Sequence, residues 1–508
     1  MIWNRTGKRV WPTVLVLAVC IAMLTWTVGV SSAAATGHGS HCSVLKVPSQ
    51  YATIQSAINA AHPCDTILVA PGTYTEQLTI DKSINIVGSG AGVTTIQGPA
   101  IVTPDVFGNP WMIELGGGAT VSISGVTVLV TLQCIIAPVP PTPTTSPVVY
   151  AGGGIGVGGS AYLNLQSAVV TTTGGTEGAA CGGPSPTTAG IVSYGDGIAF
   201  GLDYVSGSPT ASALLGFGQV TGVTISGFGY DGEPIGLCGH VNSPPGSSAL
   251  ISYDTVMTSS DDIGWYSGID LGASLHSCSA TIVHNVVIQS SAANAVTVAG
   301  GSYAYIAYNS ISVVGEFGLG VWVNNSTATI VHNSIISSTT NGGFSGVIVF
   351  GSGASVTISY NIIGQFECAY NADLLAAGLC GSDYLTQYQF PGILEEDSAT
   401  VVATHNQIYD NDAGIELYEG CSPNCVLRDN VFTNSYDYGL MGVDGSYSFG
   451  PNEVIGGAYG VAAVAYSVNT TVALSHVVIV GPSVSPLYYE IDFTGGTATI
   501  TGTWTVLP

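Results

Sequence analysis

An asparagine recurs between two short apolar segments through the second half of the chain, and this repeat constrains the fold more than any other feature. Apolar residues precede each asparagine by three positions and follow it by two, and most neighbouring asparagines are 24 residues apart. This spacing is typical of a strand, a bend and a strand rather than of a helix. A period of this length indicates a solenoid. The repeated residues are Asn285, Asn309, Asn333, Asn361, Asn406 and Asn430.

Stacking of the repeats at the ~4.8 Å spacing of paired strands would place these asparagines in one column. Each side-chain amide could then bond to its neighbours above and below, which satisfies polar groups that are costly to bury alone. The composition agrees, because 69 glycines and many Ser, Thr and Val residues suit an all-β chain with frequent bends. We predict one domain, since a solenoid grows by adding coils.

The repeat resembles the right-handed parallel β-helix of the pectin-lyase-like superfamily over nearly the whole mature chain. The resemblance rests on the asparagine ladder, on a closing strand of the form Gly-apolar-x-apolar at 268–271 and 414–417, and on an opening, YATIQSAINAA at 51–61 followed by PGTYTE at 71–76. It implies an all-β, single-stranded right-handed parallel β-helix whose N-terminal end is closed by a short helix. Because this fold hosts many activities, the resemblance implies a fold more than a function.

Residues 1–35 have the pattern of a signal peptide. Three cations precede an apolar run from Val14 to Val30, and small residues follow at the cleavage spacing. An uncleaved anchor is the alternative, since the run is long. We expect a secreted or cell-surface protein that meets the membrane only through this segment, if it is retained. We predict an N-terminal cap at 36–65 and the β-helix at 66–508, with loop insertions near 134–150, 171–190 and 367–397.

Ten cysteines follow the signal, an even number that fits an oxidising compartment. Metal binding is the alternative to disulfides, although only the last two cysteines have ligand-like spacing. The pairing that is local in sequence joins Cys42 to Cys64, Cys134 to Cys181, Cys238 to Cys278, Cys368 to Cys380 and Cys421 to Cys425.

The charge balance excludes several partners. The chain has 31 acidic and 6 basic residues, and only Lys46, Lys82 and Arg428 of the latter lie beyond the predicted signal. Such a surface will not hold nucleic acid or an anionic membrane by charge. Low pH would protonate carboxylates and relieve their repulsion, so we expect an acidic extracellular habitat. The alternative is ordinary compositional drift of a secreted protein.

In the superfamily, the strand that closes each coil forms the floor of the substrate groove. Asp261 and Asp262 lie in the loop that feeds such a strand, and the strand itself carries Asp270. The arrangement loosely resembles the three-aspartate site of polygalacturonase-type glycosidases, but the accompanying Asn-Thr-Asp and Arg-Ile-Lys stretches are absent from the sequence. A solvated acidic turn is the alternative. Trp265, Tyr266 and Trp322 offer flat faces on which sugar rings could stack. By alternation, the outward residues of the closing strands are Asp270, Thr297, Trp322, Ile348, Glu416 and Met441.

A second acidic group lies near the C-terminal coils. Aligning the closing strands places Asp412 over Asp437 and Glu419 over Asp444, each pair about one coil apart. Carboxylates this close bind a hard cation or share a proton. We predict a structural calcium site, with a solvated acidic face as the alternative.

Aromatic residues immediately precede the repeated asparagines. They alternate between imidazole and phenol and would stack into a stripe on the outer surface. We interpret the stripe as surface decoration, with sugar or metal binding as the alternative. Its members are His284, Tyr308, His332, Tyr360 and His405.

Two functional hypotheses follow. The first is a secreted or surface-exposed β-helix that binds neutral polysaccharide or serves a structural or adhesive role, without a required cofactor and with edge-to-edge self-association where coil ends are poorly capped. The alternative is an acid-adapted glycoside hydrolase that uses Asp261, Asp262 and Asp270.

Lyase and esterase activities are disfavoured, because three scattered cations cannot neutralise a uronate and the esterase catalytic strands have no counterpart. A hydrolase needs two carboxyl groups roughly 5 to 10 Å apart.

Overall fold

The computed structural model describes the following parts of the chain: 41–99, 111–130, 135–136, 149–150, 153–172, 196–201, 215–228, 233–238, 246–258, 267–272, 277–290, 293–315, 318–338, 343–367, 390–420, 425–491 and 496–508. The chain divides into a unit of residues 1–41 and a unit of residues 42–508. The architecture below is that of the second unit. Within the described ranges, no helix has both the length and the apolar character needed to cross a membrane.

The coils of this unit contribute strands to three parallel ladders. The first ladder runs through Val44–Val47, Thr66–Val69, Asn85–Gly88, Thr120–Ser124, Ala161–Gln166, Gly216–Thr221, Ser248–Ser252, Ser279–Val283, Tyr303–Ala307, Thr327–Val331, Ser355–Ser359, Thr400–Thr404, Val426–Arg428 and Ser446–Phe449. The second ladder runs through Gly72–Thr75, Thr94–Gln97, Thr127–Val130, Val169–Thr172, Thr224–Phe228, Thr255–Thr258, Val286–Gln289, Ser310–Val313, Ser334–Ser337, Ile362–Gly364, Gln407–Tyr409, Val431–Thr433 and Glu453–Ile455. Two long strands, Thr470–Val480 and Ala498–Leu507, end both ladders.

The third ladder closes each coil. It runs through Leu78–Ile80, Trp111–Leu115, Gly153–Val157, Ile198–Phe200, Ile235–Leu237, Ile269–Leu271, Asn294–Val298, Leu319–Asn324, Ser345–Phe350, Pro391–Glu396, Ala413–Tyr418, Tyr438–Val443, Tyr459–Ala465 and Ser485–Ile491. A separate antiparallel pair joins Ile135–Ile136 to Val149–Tyr150. Alternate residues of all three ladders enter one continuous apolar core, as period-2 patterning requires. The predicted all-β parallel solenoid is confirmed, and its first ladder already includes Val44–Val47 within the predicted cap.

The predicted asparagine column is confirmed, and it is longer at both ends than the sequence repeat indicated. Each rung donates its Nδ2 and its backbone N–H to Oδ1 of the next rung, as Asn285 does to Asn309 at 3.0 and 2.9 Å. Asn452 adds a rung at the C-terminal end. Asp254 occupies the first position, where its N–H donates to Asn285 Oδ1 at 2.9 Å. The column therefore pairs the polar groups of the bend between the first and second ladders.

An aromatic stack lies outside this column. Tyr253 extends the predicted stripe by one ring, so that six rings alternate between phenol and imidazole with centroids 4.7 to 5.1 Å apart and interplanar angles of at most 16°. Every member has a positive φ of 57 to 59°, which the bend imposes on its tip. Because the ring faces contact one another, the stack offers mainly ring edges to solvent.

The predicted cap helix is confirmed as Ile54–Ala60, with Ile54 and Ile58 buried against the core. Thr53 begins it with a capping box. Glu76 accepts the N–H groups of Ile54 and Gln55 at 2.8 and 2.9 Å, and Lys82 Nζ donates to three carbonyls at its C-terminal end. Two of the few charged side chains therefore fix the helix at the first coils.

Two predicted disulfides lie in the described part of the chain and are confirmed, Cys42–Cys64 and Cys238–Cys278. Cys425 is also disulfide-bonded. Cys421, Cys134, Cys181, Cys368 and Cys380 lie outside the described residues. Disulfides of this kind form in oxidising compartments.

Candidate functional site on the outer face of the third ladder

The third ladder has an outer column whose residues face away from the core. In the ladder register, each predicted outward residue from Asp270 to Met441 lies beside the next one in the series, with one exception. Leu394, which the sequence did not predict, lies between Ile348 and Glu416. Their sequence neighbours on the same strands, such as Ile269 and Leu271, enter the core instead. The predicted alternation is thus confirmed. The column is nonetheless covered, since most of its side chains are at most 7% exposed and only Trp322 is half-buried.

Two carboxyl groups meet at the N-terminal end of this column, one coil from a third, Asp270. Asp270 lies beside Gly236 in the ladder register. A Cβ added to Gly236 would lie 2.7 Å from Asp196 Oδ2 and 2.9 Å from Glu233 Oε2. The two oxygens lie on either side of this point and are therefore at most about 6 Å apart, which does not exceed the separation of paired catalytic carboxyl groups. We call Asp196, Glu233 and Asp270 the acidic triad.

The local sequence explains why the triad forms. Asp196 and Glu233 each stand two residues before a strand of the third ladder, and these strands pair with Ile198 beside Ile235. Asp196 Oδ1 accepts the backbone N–H of Glu233 at 3.0 Å, which fixes the two residues in adjacent coils. Gly236 has no side chain, so both carboxyl groups can lie over it, in the coil next to the one that carries Asp270. The triad is nearly enclosed, with exposures of 1%, 3% and 5%.

Polar side chains continue the site beyond the triad. Ser267 Oγ and Thr297 Oγ1 share a hydrogen bond of 2.5 Å, and Asn294 Nδ2 donates to the same Thr297 oxygen at 2.8 Å. All three side chains are buried. Groups such as these hold fixed hydrogen-bonding positions beside the carboxyl groups.

The sequence predicted only part of this site. Asp270 lies in it and is buried. Trp322 lies two coils away on the same column. Asp261, Asp262, Trp265 and Tyr266 lie outside the described residues. The sequence reasoning missed Asp196 and Glu233. The signal that could have found them is their shared position three residues before Ala199 and Gly236, the outward residues of two weakly patterned strands.

A second carboxyl pair lies farther along the same face. Glu416 and Asp437 occupy adjacent coils and are each 2% exposed. Burial raises the pKa of Glu416 to about 8, and the nearby Asp437 and Glu396 carboxyl groups add to this rise. A hydrogen bond from Tyr418 opposes the rise without cancelling it. Burial likewise raises the pKa of Asp437 to about 7. Both carboxyl groups therefore stay protonated to a higher pH than exposed Glu and Asp side chains do.

The four predicted calcium ligands form two separate pairs. Asp437 N–H donates to the Asp412 carbonyl and Glu419 N–H donates to the Val443 carbonyl, so the predicted vertical alignment is correct. The pairs lie at opposite ends of one strand, roughly 20 Å apart at the rise of a β-strand. No cluster of three or more His, Cys, Asp or Glu side chains able to hold a metal ion exists among the described residues.

Asp444 has a capping role instead. Its carboxylate accepts the N–H groups of Tyr466, Ser467 and Val468 and the Ser467 hydroxyl. Burial alone would raise the pKa of Asp444, but these hydrogen bonds outweigh it and hold the pKa below its usual value. The side chain therefore stabilises the turn after the next third-ladder strand.

Comparison with known proteins agrees with the observed architecture. The family described as "Right handed beta helix region" matches residues 267–472. The chain contains a right-handed β-helix. The right-handed parallel β-helix that the predicted resemblance implied is thus confirmed as the fold. Among curated proteins, none matches the sequence significantly.

Several solved structures are similar to this chain, all at low identity. The periplasmic alginate epimerase AlgG is 12% identical, with a TM-score of 0.33, over 87% of this chain and 77% of its own. A catalytic domain of GH87 α-1,3-glucanase in complex with nigerose is 11% identical, with a TM-score of 0.29, over 89% and 68%. The Azotobacter vinelandii mannuronan C-5 epimerase AlgE6 A-module is 13% identical, with a TM-score of 0.28, over 90% and 94%.

Proposed function

We propose that the protein is an extracellular glycoside hydrolase that acts on a neutral polysaccharide at the acidic triad. The observation that carries this proposal is the convergence of Asp196 and Glu233 over Gly236, beside Asp270, on the outer face of the third ladder. The first sequence-based hypothesis, binding or a structural role without catalysis, requires no such convergence. The alternative hypothesis, hydrolysis, does.

The chemistry needs two of the three carboxyl groups. One, as the acid, protonates the glycosidic oxygen as its bond to the anomeric carbon breaks, and the other activates water or attacks that carbon directly. In the attacking case, water then hydrolyses the glycosyl-enzyme ester, and the first group acts as base. Enclosure of the triad strengthens its electrostatic effect on the developing positive charge at the sugar ring.

Two further features support the substrate class and the compartment. The chain carries a formal net charge of −25 at pH 7, which disfavours anionic polymers such as polyuronates. Disulfides at Cys42–Cys64 and Cys238–Cys278 suit an oxidising environment outside the cytosol. The second of these follows the strand that carries Gly236 and so stabilises the coils of the triad.

The proposal is tested by the release of reducing ends from soluble α-1,3-glucan, β-1,3-glucan, dextran, galactomannan and polygalacturonate at pH 4 and pH 7. We expect wild-type protein to cleave a neutral glucan or mannan and not the polyuronate. Asp270→Asn and Glu233→Gln are nearly isosteric, and each should lower kcat by at least about 100-fold. Glu453→Gln, on an exposed part of the second ladder, is the matched control and should leave kcat unchanged.

Three outcomes separate the hypotheses. Loss of cleavage in the triad variants, with unchanged unfolding temperature, supports hydrolysis at the triad. Cleavage that persists in both triad variants would place the reaction elsewhere. Retention of a polysaccharide without any cleavage by the wild type would favour the binding hypothesis.

A further inference from the structure

The outer face of the third ladder changes character near its C-terminal end. Instead of small and polar groups it carries a compact cluster around Tyr438 and Met441, which are 2% and 1% exposed. Half-buried tyrosine rings pack on this cluster, and the rings of Tyr438 and Tyr459 stack with centroids 5.5 Å apart at 19°. The ring centroids of Tyr459 and Tyr488 are 4.8 Å apart. Partly exposed phenol rings of this kind present an apolar face and a polar tip together.

The carboxyl groups of Glu416 and Asp437 lie within this aromatic region. Glu416 is beside Met441 in the ladder register, and Asp437 directly precedes Tyr438. Among the described residues, Glu416 Oε1 and Asp437 Oδ2 are buried oxygens without a hydrogen-bond partner. Leaving such an atom unsatisfied costs about 1 to 3 kcal/mol, so a buried oxygen of this kind needs an explanation.

A sugar ring has the matching chemistry. Its hydroxyl groups can donate to the two unsatisfied oxygens, and its C–H faces can pack on tyrosine rings. A metal ion does not match as well, because the described residues around Glu416 hold no cluster of three ligating groups. The raised pKa values of Glu416 and Asp437 also favour neutral acids that both donate to and accept from hydroxyl groups.

We propose that Glu416, Asp437 and the tyrosines Tyr418, Tyr459 and Tyr488 form a second glycan-binding subsite, separate from the acidic triad. Tyr418 contributes through its hydroxyl, which donates to Glu416 Oε2 at 3.2 Å. That bond positions the Glu416 carboxyl group and leaves its Oε1 for the ligand.

The subsite rests on the proposed function, and it specifies the substrate further. Asp270 and Glu416 lie five coils apart in the same outer column, on the order of 24 Å at the spacing of paired strands. One polysaccharide chain that runs over this face, past the half-buried Trp322, would reach both places. The substrate is therefore a polymer of several sugar units, and a short oligosaccharide bound at the triad cannot reach the second subsite.

The test measures retention and cleavage by the full chain on the neutral polysaccharides named above, compared with tetrasaccharides of the same linkage. We expect Glu416→Gln and Asp437→Asn each to weaken retention by the polymer at least tenfold in affinity electrophoresis. Cleavage of the tetrasaccharide should be unchanged in both variants. Glu453→Gln, the exposed second-ladder variant used above, is the matched control and should behave as wild type.

The outcomes distinguish this inference from the proposed function. Unchanged polymer retention in both carboxyl variants, with cleavage still lost in Asp270→Asn, would overturn the subsite and leave the triad. Equal loss of tetrasaccharide and polymer cleavage in Glu416→Gln would also overturn it, because a remote subsite cannot affect a short substrate. Polymer retention that depends on Glu416, without any cleavage by the wild type, would support the subsite while refuting the hydrolase.

Discussion

The carboxyl group at the start of the asparagine column provides the sharpest test of the fold. Asp254 is 1% exposed, and its two oxygens accept the N–H groups of Val223 and Ser252 at 2.8 and 3.0 Å. Burial raises the pKa of Asp254 to about 7 from 3.8, although these two hydrogen bonds oppose the rise. Asparagine has the same shape, and it occupies the next rung at position 285. We expect Asp254→Asn to stabilise the fold at neutral pH.

The sign and size follow from proton linkage. The folded state binds the Asp254 proton more tightly than the unfolded state, so the contribution of this group is full below pH 3.8 and is lost as pH rises to about 7. A shift of this size corresponds to roughly 4 kcal/mol. Asp254→Asn has no titratable group at this position, so it does not lose this stability as pH rises. Its advantage in unfolding free energy should therefore be small at pH 4 and should approach that value by pH 8, less about 1 kcal/mol for the lost Ser252 bond.

Urea denaturation at pH 4, 6 and 8 measures the effect. The matched control is Asn309→Asp, which introduces a carboxyl group at an inner rung and should lower stability increasingly as pH rises. The reasoning fails if Asp254→Asn changes stability equally at pH 4 and pH 8, or if it destabilises the protein at pH 8.

Three further predictions concern the site, the disulfides and the aromatic stack. Gly236→Ala should lower any hydrolytic kcat by about 100-fold at unchanged KM, because its methyl group would displace the Asp196 and Glu233 carboxyl groups; steady-state kinetics that match wild type would contradict the triad geometry. Replacing Cys238 and Cys278 by serine should cost about 3 to 4 kcal/mol in urea denaturation, given the 40-residue separation, and a loss below 1 kcal/mol would contradict it. His332→Ala removes a ring between two tyrosines and should cost about 1 to 3 kcal/mol, whereas the exposed His476→Ala should cost less than about 0.5 kcal/mol in the same assay.

Most of the fold followed from the sequence because local and global signals agree in the regular coils. The period from Asn285 to Asn430 fixes the strand, the bend and the stacking direction, and a buried amide tolerates only one register. The ends of the column were harder to predict. At Asp254 a carboxyl group replaces the amide. Asn452 stands 22 residues after Asn430, instead of 24, and directly follows Gly450 and Pro451, so neither residue repeats the motif in full.

The site was less predictable for a physical reason. Alternation along one strand identified Asp270 and Glu416 as outward, since this depends only on period 2. The position of Asp196 and Glu233 depends on the turn before each strand and on the alignment of coils separated by 37 residues. Irregular insertions in this half of the chain hide that alignment. Because Gly236 has no side chain, the Asp196 and Glu233 carboxyl groups can then meet above it.

Hydrogen–deuterium exchange of Asp270→Asn, with and without the neutral polysaccharide that the wild type cleaves or retains, tests the central claim most directly. The account predicts slower exchange in the third-ladder strands Ile235–Leu237, Ile269–Leu271 and Ala413–Tyr418, with little change in the second-ladder strands of the same coils. Protection confined to the aromatic stack around His332, or spread equally over all three ladders, would contradict a functional face on the third ladder.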